Sequence, residues 1–324
     1  MKRILVAGAI SVMAGQANAT LTLTAAGLAD NFTLSTFHTA PANNSTYYDI
    51  ANARLPDGTL VGVDYADNLL KKYSDVDGQT VGSATGSSVV ASWINTATAG
   101  GVTYATVYGG GVYSVASNLA VTPVSVPGFS AGYGLWGNPV TGHLLAAGVG
   151  SGLYDIDPLT GVATLLSSSF YDGVTVSPDG KTAYGYAGAG VIYGFDISNL
   201  GAPSLVYTSP LLPGGPDGTG VIAGGALNGD LVVNANDGTV GVLDPTTNIY
   251  TIIASGGTRG DFASVDLNNG TLFLAEYDAT YRLGITNGTI GGGPAPAPEP
   301  ASMILFGSAL AGLGLFRRRD VRLN

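Results

Sequence analysis

A strand followed by a tight turn recurs about every forty residues through most of this 324-residue chain. Leu153 to Gly161 (LYDIDPLTG) matches Val242 to Asn248 (VLDPTTN), and the same position falls in Tyr193-Gly194-Phe195-Asp196 and in Arg282 to Gly288 (RLGITNG). Fainter copies are Lys72-Tyr73-Ser74 and Ser114-Val115-Ala116. The aligned positions are 74, 116, 157, 196, 244 and 284, and the one long interval holds the insertion Pro210 to Gly220 (PLLPGGPDGTG). Four strands of five or six residues joined by tight turns need about forty positions. A sandwich does not repeat at that period, and a β-helix repeats at a shorter one.

The order inside each unit also repeats. A Gly/Ala-rich strand follows Asp-Gly (Gly173 to Ser177, Gly218 to Gly224), and a turn such as Pro178-Asp179-Gly180 or Asn228-Gly229 comes next. A Tyr/Leu/Val strand follows (Thr182 to Tyr186, Asp230 to Asn234), then the aligned strand, then a polar outer strand (Ala163 to Leu166, Ser204 to Tyr207, Tyr250 to Ala254). Small residues suit the crowded centre of a ring, and ring closure protects sheet edges. The fold expected is an all-β propeller over residues 20–287 with six four-stranded blades, or seven if residues 20–50 supply more than a closing strand. Only 10% of residues are charged while 50 are Gly and 17 Tyr, which suits a β-rich extracellular body and not a disordered one.

Both ends read as targeting segments. Lys2 and Arg3 precede the apolar run Ile4 to Ala14, and Ala17-Asn18-Ala19 offers the small residues a signal peptidase accepts. Residues 1–19 are therefore expected to be a signal peptide. Residues 288–297 form a Gly then Pro-Ala linker to Pro298-Glu299-Pro300, the uncharged run 301–316 and Arg317-Arg318-Arg319. As a helix, that run reaches roughly 24 Å, short of a hydrocarbon core of about 30 Å. The arginines keep its far end cytoplasmic, and the prolines stop the helix from extending outward. A short, transient transmembrane helix with the body outside is the expectation.

This tail, residues 298–324, closely resembles the PEP-CTERM sorting signal of Gram-negative bacteria. The resemblance implies recognition by an exosortase, a membrane-embedded processing enzyme, with cutting near Pro298-Glu299-Pro300 and delivery to the cell surface or an exopolysaccharide matrix.

Six of the 12 basic residues sit at the two ends, so the body is strongly acidic. That disfavours nucleic acid, and hard carboxylate oxygens instead make a divalent cation a plausible partner. The absence of Cys removes disulfides, thiolate metal sites and a Cys nucleophile. Only His38 and His143 are available as imidazoles, and neither lies near a nucleophile-elbow motif, so both read as ordinary surface or loop residues. A monomer is expected.

Three repeat units place an acid just before the inner strand, namely Asp172, Asp217 and Asp261, and the first offers Asp49. Equivalent positions of a propeller converge on one mouth of its channel, where such carboxylates repel unless a cation or protons neutralise them. They could hold a divalent cation such as calcium or zinc, or act only as turn caps. Asp57, Asp179 and Asp237, each before Gly, read as hairpin turns. Trp93 and Trp136 read as packing residues before sugar platforms.

Ser177 to Tyr184 (SPDGKTAY), preceded by Asp172-Gly173, and Gly215-Pro216-Asp217-Gly218 resemble the gluconolactonase/senescence-marker propellers and, more loosely, NHL- and YVTN-type propellers. The resemblance implies that Asp172 and Asp217 are metal ligands, with Asp49 nearest to the family's first-blade Glu. Two roles follow: a surface protein that binds an extracellular component such as the exopolysaccharide, or a metal-dependent lactonase-like hydrolase.

Overall fold

The computed structural model describes residues 20–40, 49–89, 92–150, 152–188 and 190–291. The expected signal peptide and the tail from residue 292 onward, with Pro298, Glu299, Pro300 and the arginines, lie outside the described residues.

Six sheets follow one another along the chain; in each, the blade's own consecutive strands pair antiparallel in sequence order from the ring centre outward, and segments from the two ends of the described chain add strands to the last two sheets. Blade 1 comprises Asn52–Arg54, Leu60–Asp64, Leu69–Tyr73 and Gly86–Val89. Blade 2 comprises Trp93–Ala99, Val102–Val107, Val112–Val115 and Val121–Val124. Blade 3 runs through Ala131–Gly137, Leu144–Gly148, Leu153–Asp157 and Val162–Ser167. Blade 4 holds Val174–Val176, Thr182–Ala187, Val191–Asp196 and Ser204–Thr208. Blade 5 holds Pro216–Ala223, Leu231–Ala235, Val240–Leu243 and Tyr250–Ser255. Blade 6 takes Gly260–Asp266, Thr271–Glu276 and Ala279–Ile285 from the end of the chain. The inner strands touch in the cyclic order 1 to 6 and back to 1, so the ring is closed with six blades.

Closure comes from the N-terminal segment. Phe32–Thr39 is the fourth strand of blade 6, antiparallel to the third, from Phe32 opposite Ile285 to Thr39 opposite Ala279. Thr22–Leu23 adds a fifth strand to blade 5, Thr22 opposite Ser255. Residues 20–40 thus complete blade 6, extend blade 5 and build no seventh. At the other end, Thr289–Ile290 pairs with the inner strand of blade 5, so the propeller extends past residue 287 into the stretch expected as linker.

The repeating acid explains the repeat. Asp157 Oδ1 accepts from Leu159 N at 2.9 Å, Asp196 Oδ1 from Ser198 N at 2.9 Å and Asp244 Oδ1 from Thr246 N at 2.7 Å. Each caps the turn after a third strand, which makes the motif recur. Asp57, Asp179 and Asp237 do the same for the residue two positions on, before glycines at positive φ. The glycines of the inner strands answer a different need, close approach between blades. A Cβ on Gly173 would collide with the backbone carbonyl of Asp217, and one on Gly137 with that of Thr98.

Between blades the facing side chains form the core. Trp93 and Trp136 are fully buried there, Trp93 edge-on to Tyr113 at 5.4 Å. His38, expected as a surface or loop residue, is buried against Asp49. A register shift between Thr36 and His38 breaks the alternation of the N-terminal strand, so Phe37 and His38 are both buried although they are adjacent. His143 is half-buried, with Nδ1 2.6 Å from Asp155 Oδ1.

Candidate functional site

Every inner strand starts on the same face of the ring, here the upper face, and runs to the opposite, lower one. The first residues of the six inner strands therefore meet around the upper mouth. They line a cavity of about 320 Å³ to which blades 1 to 6 contribute Ile50, Ile94, Tyr133, Asp172, Asp217 and Asp261, with Phe262, Tyr65 and Arg259 completing the wall. Blades 1 to 3 supply an apolar and aromatic arc, and blades 4 to 6 a polar, charged one. Tyr133 is backed by Tyr108, ring centroids 4.7 Å apart.

Asp217 is the most deeply set of the acids, 5% exposed. Its Oδ2 accepts from Asn236 Nδ2 at 3.1 Å, while its Oδ1 has no hydrogen-bond partner. Burial, followed by the negative charges of Asp261 and Asp172, pushes its carboxyl up to about 9, so it carries its proton at neutral pH. Burial also raises Asp172 to about 6, against the pull of Arg259. Arg259 is oriented by its neighbours: Nε donates to Asn236 Oδ1 at 2.5 Å and a terminal nitrogen donates to Tyr277 Oη at 3.1 Å. Asn236 thereby connects Arg259 to Asp217.

Three of the four acids expected at the mouth line this cavity, and Asp49 does not. Ile50 occupies the blade 1 position. Asp49, one residue earlier, points to the other face of the strand, where its carboxylate meets His38. Burial raises its pKa, and His38 opposes that rise. Stepping the repeat from Asp172 and Asp217 to the equivalent positions of blades 1 to 3 would have found Ile50, Ile94 and Tyr133. Arg259, Tyr65 and Asn236 come from turns and second strands, which the inner-strand pattern does not single out.

A divalent cation needs several oxygen donors converging on one point. Among the described residues no three acidic or histidine side chains are grouped so as to hold a metal ion. Arg259 places a fixed positive charge in the wall beside Asp172, Asp217 and Asp261. The donor set present therefore does not fit a resident metal of the kind the gluconolactonase resemblance implies. What the arrangement offers is a set of hydrogen-bonding groups facing aromatic rings.

Comparison with known proteins agrees with the propeller fold and with the reading of the tail. The PEP-CTERM protein-sorting motif matches residues 296–319. A search of curated proteins finds no match. Among solved structures, a gluconolactonase from Xanthomonas campestris superposes with a TM-score of 0.61 at 15% identity, covering 82% of this chain and 94% of its own. A putative gluconolactonase gives 0.62 at 14%, covering 85% and 100%, and an auxiliary nutrient binding protein from Bacteroides thetaiotaomicron gives 0.55 at 12%, covering 78% and 76%. Identities this low establish the fold alone. The motif implies export and handling by an exosortase, and the chain is a six-bladed β-propeller that carries a PEP-CTERM sorting signal.

Proposed function

We propose that this protein is a non-catalytic binding protein of the cell surface or exopolysaccharide matrix, and that its upper mouth holds a saccharide unit of an extracellular polymer. The observation that carries this reading is the two-sided cavity. Sugars present hydroxyl groups along their edges and C–H faces above and below. Asp172, Asp261 and Arg259 can accept from and donate to hydroxyls, and protonated Asp217, whose Oδ2 accepts from Asn236, adds a buried O–H donor at Oδ1. Tyr133, Tyr65 and Phe262 offer rings for the C–H face. The volume suits one or two sugar units. Export, with removal of residues 1–19 by a signal peptidase and of the tail near Pro300 by the exosortase, would bring the cavity to such a polymer.

Calorimetric titration of the purified protein with oligosaccharides prepared from the producing cell's exopolysaccharide tests the reading. Binding that Tyr133→Ala and Asp217→Ala each weaken tenfold or more supports it. No binding by the wild type, or equal affinity in the variants, overturns it.

A further inference from the structure

The last described segment is fastened at the mouth opposite the cavity. Blade 5's inner strand runs from Pro216 on the upper face to Ala223 on the lower. Thr289 and Ile290 pair with Ala223 and Ile222, and Gly291 N donates to Val221 O at 2.7 Å. All three residues are buried. Gly291 also lines a second cavity, about 350 Å³, together with Arg54, Gly137, Asn138 and Leu267, all at or just past the lower ends of inner strands. The sorting motif begins at residue 296.

Two routes from Gly291 to the upper face are closed. Through the channel, the chain would pass mid-strand side chains that are all buried, Asn52, Thr96, Thr175, Thr219 and Ser264, and the void between Asn52, Thr96, Trp136 and Ser264 is about 10 Å³. That space admits about one water molecule and no polypeptide. Around the outside, the chain would cross the width of a four-stranded blade, about 14 Å, and climb its height, about 20 Å. The stretch from Gly291 to Pro298 spans at most about 25 Å when fully extended.

We infer that the sorting tag leaves the propeller through its lower mouth, so that a propeller held in the membrane by its tag turns its lower face to the bilayer and presents the Asp172–Asp217–Arg259 cavity outward. This orientation is independent of what the cavity binds. It makes the site accessible to extracellular ligand before the tag is cut, and makes the lower mouth the face that the processing enzyme approaches.

The chain has no Cys, so single cysteines can be labelled uniquely. Leu159 is 91% exposed in the turn after blade 3's third strand, on the lower face. Leu211 is 75% exposed in the loop leading to blade 5's inner strand, on the upper face. The full chain carrying Leu159→Cys or Leu211→Cys is labelled with a donor dye and reconstituted in phosphatidylethanolamine/phosphatidylglycerol vesicles containing acceptor-labelled lipid. Energy transfer is expected to be severalfold stronger from position 159 than from 211. The pair Val140→Cys (lower) and Val149→Cys (upper) repeats the measurement at independent positions. Equal transfer from both faces, none included, or stronger transfer from the upper face overturns the inference.

Discussion

His38 and Asp49 form a buried pair, Nε2 against Oδ2, across the seam of the ring. His38 lies on the N-terminal strand that completes blade 6, and Asp49 leads into the inner strand of blade 1, so the pair joins the last blade to the first. Phe37 and Tyr73 pack beside it, with the Phe37 and His38 rings 4.9 Å apart and those of His38 and Tyr73 5.1 Å apart. Removing one partner leaves the other buried without compensation, which costs about 3–5 kcal/mol. His38→Ala and Asp49→Ala are therefore each expected to lower the urea midpoint strongly, with less loss in the double variant than the sum of the two. Additive losses would show that the contact contributes no coupling.

Asp217 makes stability depend on pH in a defined direction. Below about pH 4 its carboxyl is protonated in folded and unfolded chains alike, and pH has no leverage there. Between that pH and about 9 the folded protein holds a proton that the unfolded chain has released, so rising pH drains stability. Asp172, raised to about 6, and Glu276, raised to about 7 by burial, act with the same sign. The melting temperature is expected to be higher at pH 5 than at pH 8. Asp217→Asn should stabilise the protein at pH 8 by on the order of a few kcal/mol and change little at pH 4. A wild-type melting curve that is flat or rises between pH 5 and 8 contradicts the assignment.

Much of this architecture was legible because its signals are local. The blade period shows in Asp157, Asp196 and Asp244, since each turn after a third strand needs a side-chain acceptor. Asp172, Asp217 and Asp261 were found together because Gly173, Gly218 and Gly260 flank them where blades approach closely. Asp49 was misplaced by one residue, since blade 1 lacks such a glycine to mark the register and alternation sends adjacent side chains to opposite faces. The closing strand Phe32–Thr39 pairs with a strand that begins 240 positions further along, at Ala279. No local pattern records such a partner. The same holds for Arg259, whose place in the wall depends on Asn236 and Tyr277 from neighbouring strands.

Divalent cations should not stabilise this propeller through the upper mouth. Calcium or zinc added to millimolar concentration is expected to leave the melting temperature unchanged at pH 7. A saturable upward shift in the wild type, abolished in Asp172→Ala plus Asp217→Ala, would establish a metal centre and restore the lactonase-like reading. Binding that shifts melting by even a few degrees is readable, because occupancy at a hundred times the dissociation constant adds about 2.7 kcal/mol.

Gly173 sets the spacing between the two acids of blades 4 and 5. Its Cα lies so close to the Asp217 carbonyl that an added methyl group has no room, and the obstacle is backbone that cannot rotate away. Gly173→Ala must therefore push the inner strands apart, at a cost of at least about 1–3 kcal/mol as overpacking. Gly188→Ala is the matched control, in a turn of the same blade where an added Cβ meets nothing within 4 Å. Urea unfolding should show a clear loss for position 173 and a change within about 0.5 kcal/mol for position 188. Because the displacement separates Asp172 from Asp217, saccharide affinity should fall along with stability in the first variant and remain unchanged in the second.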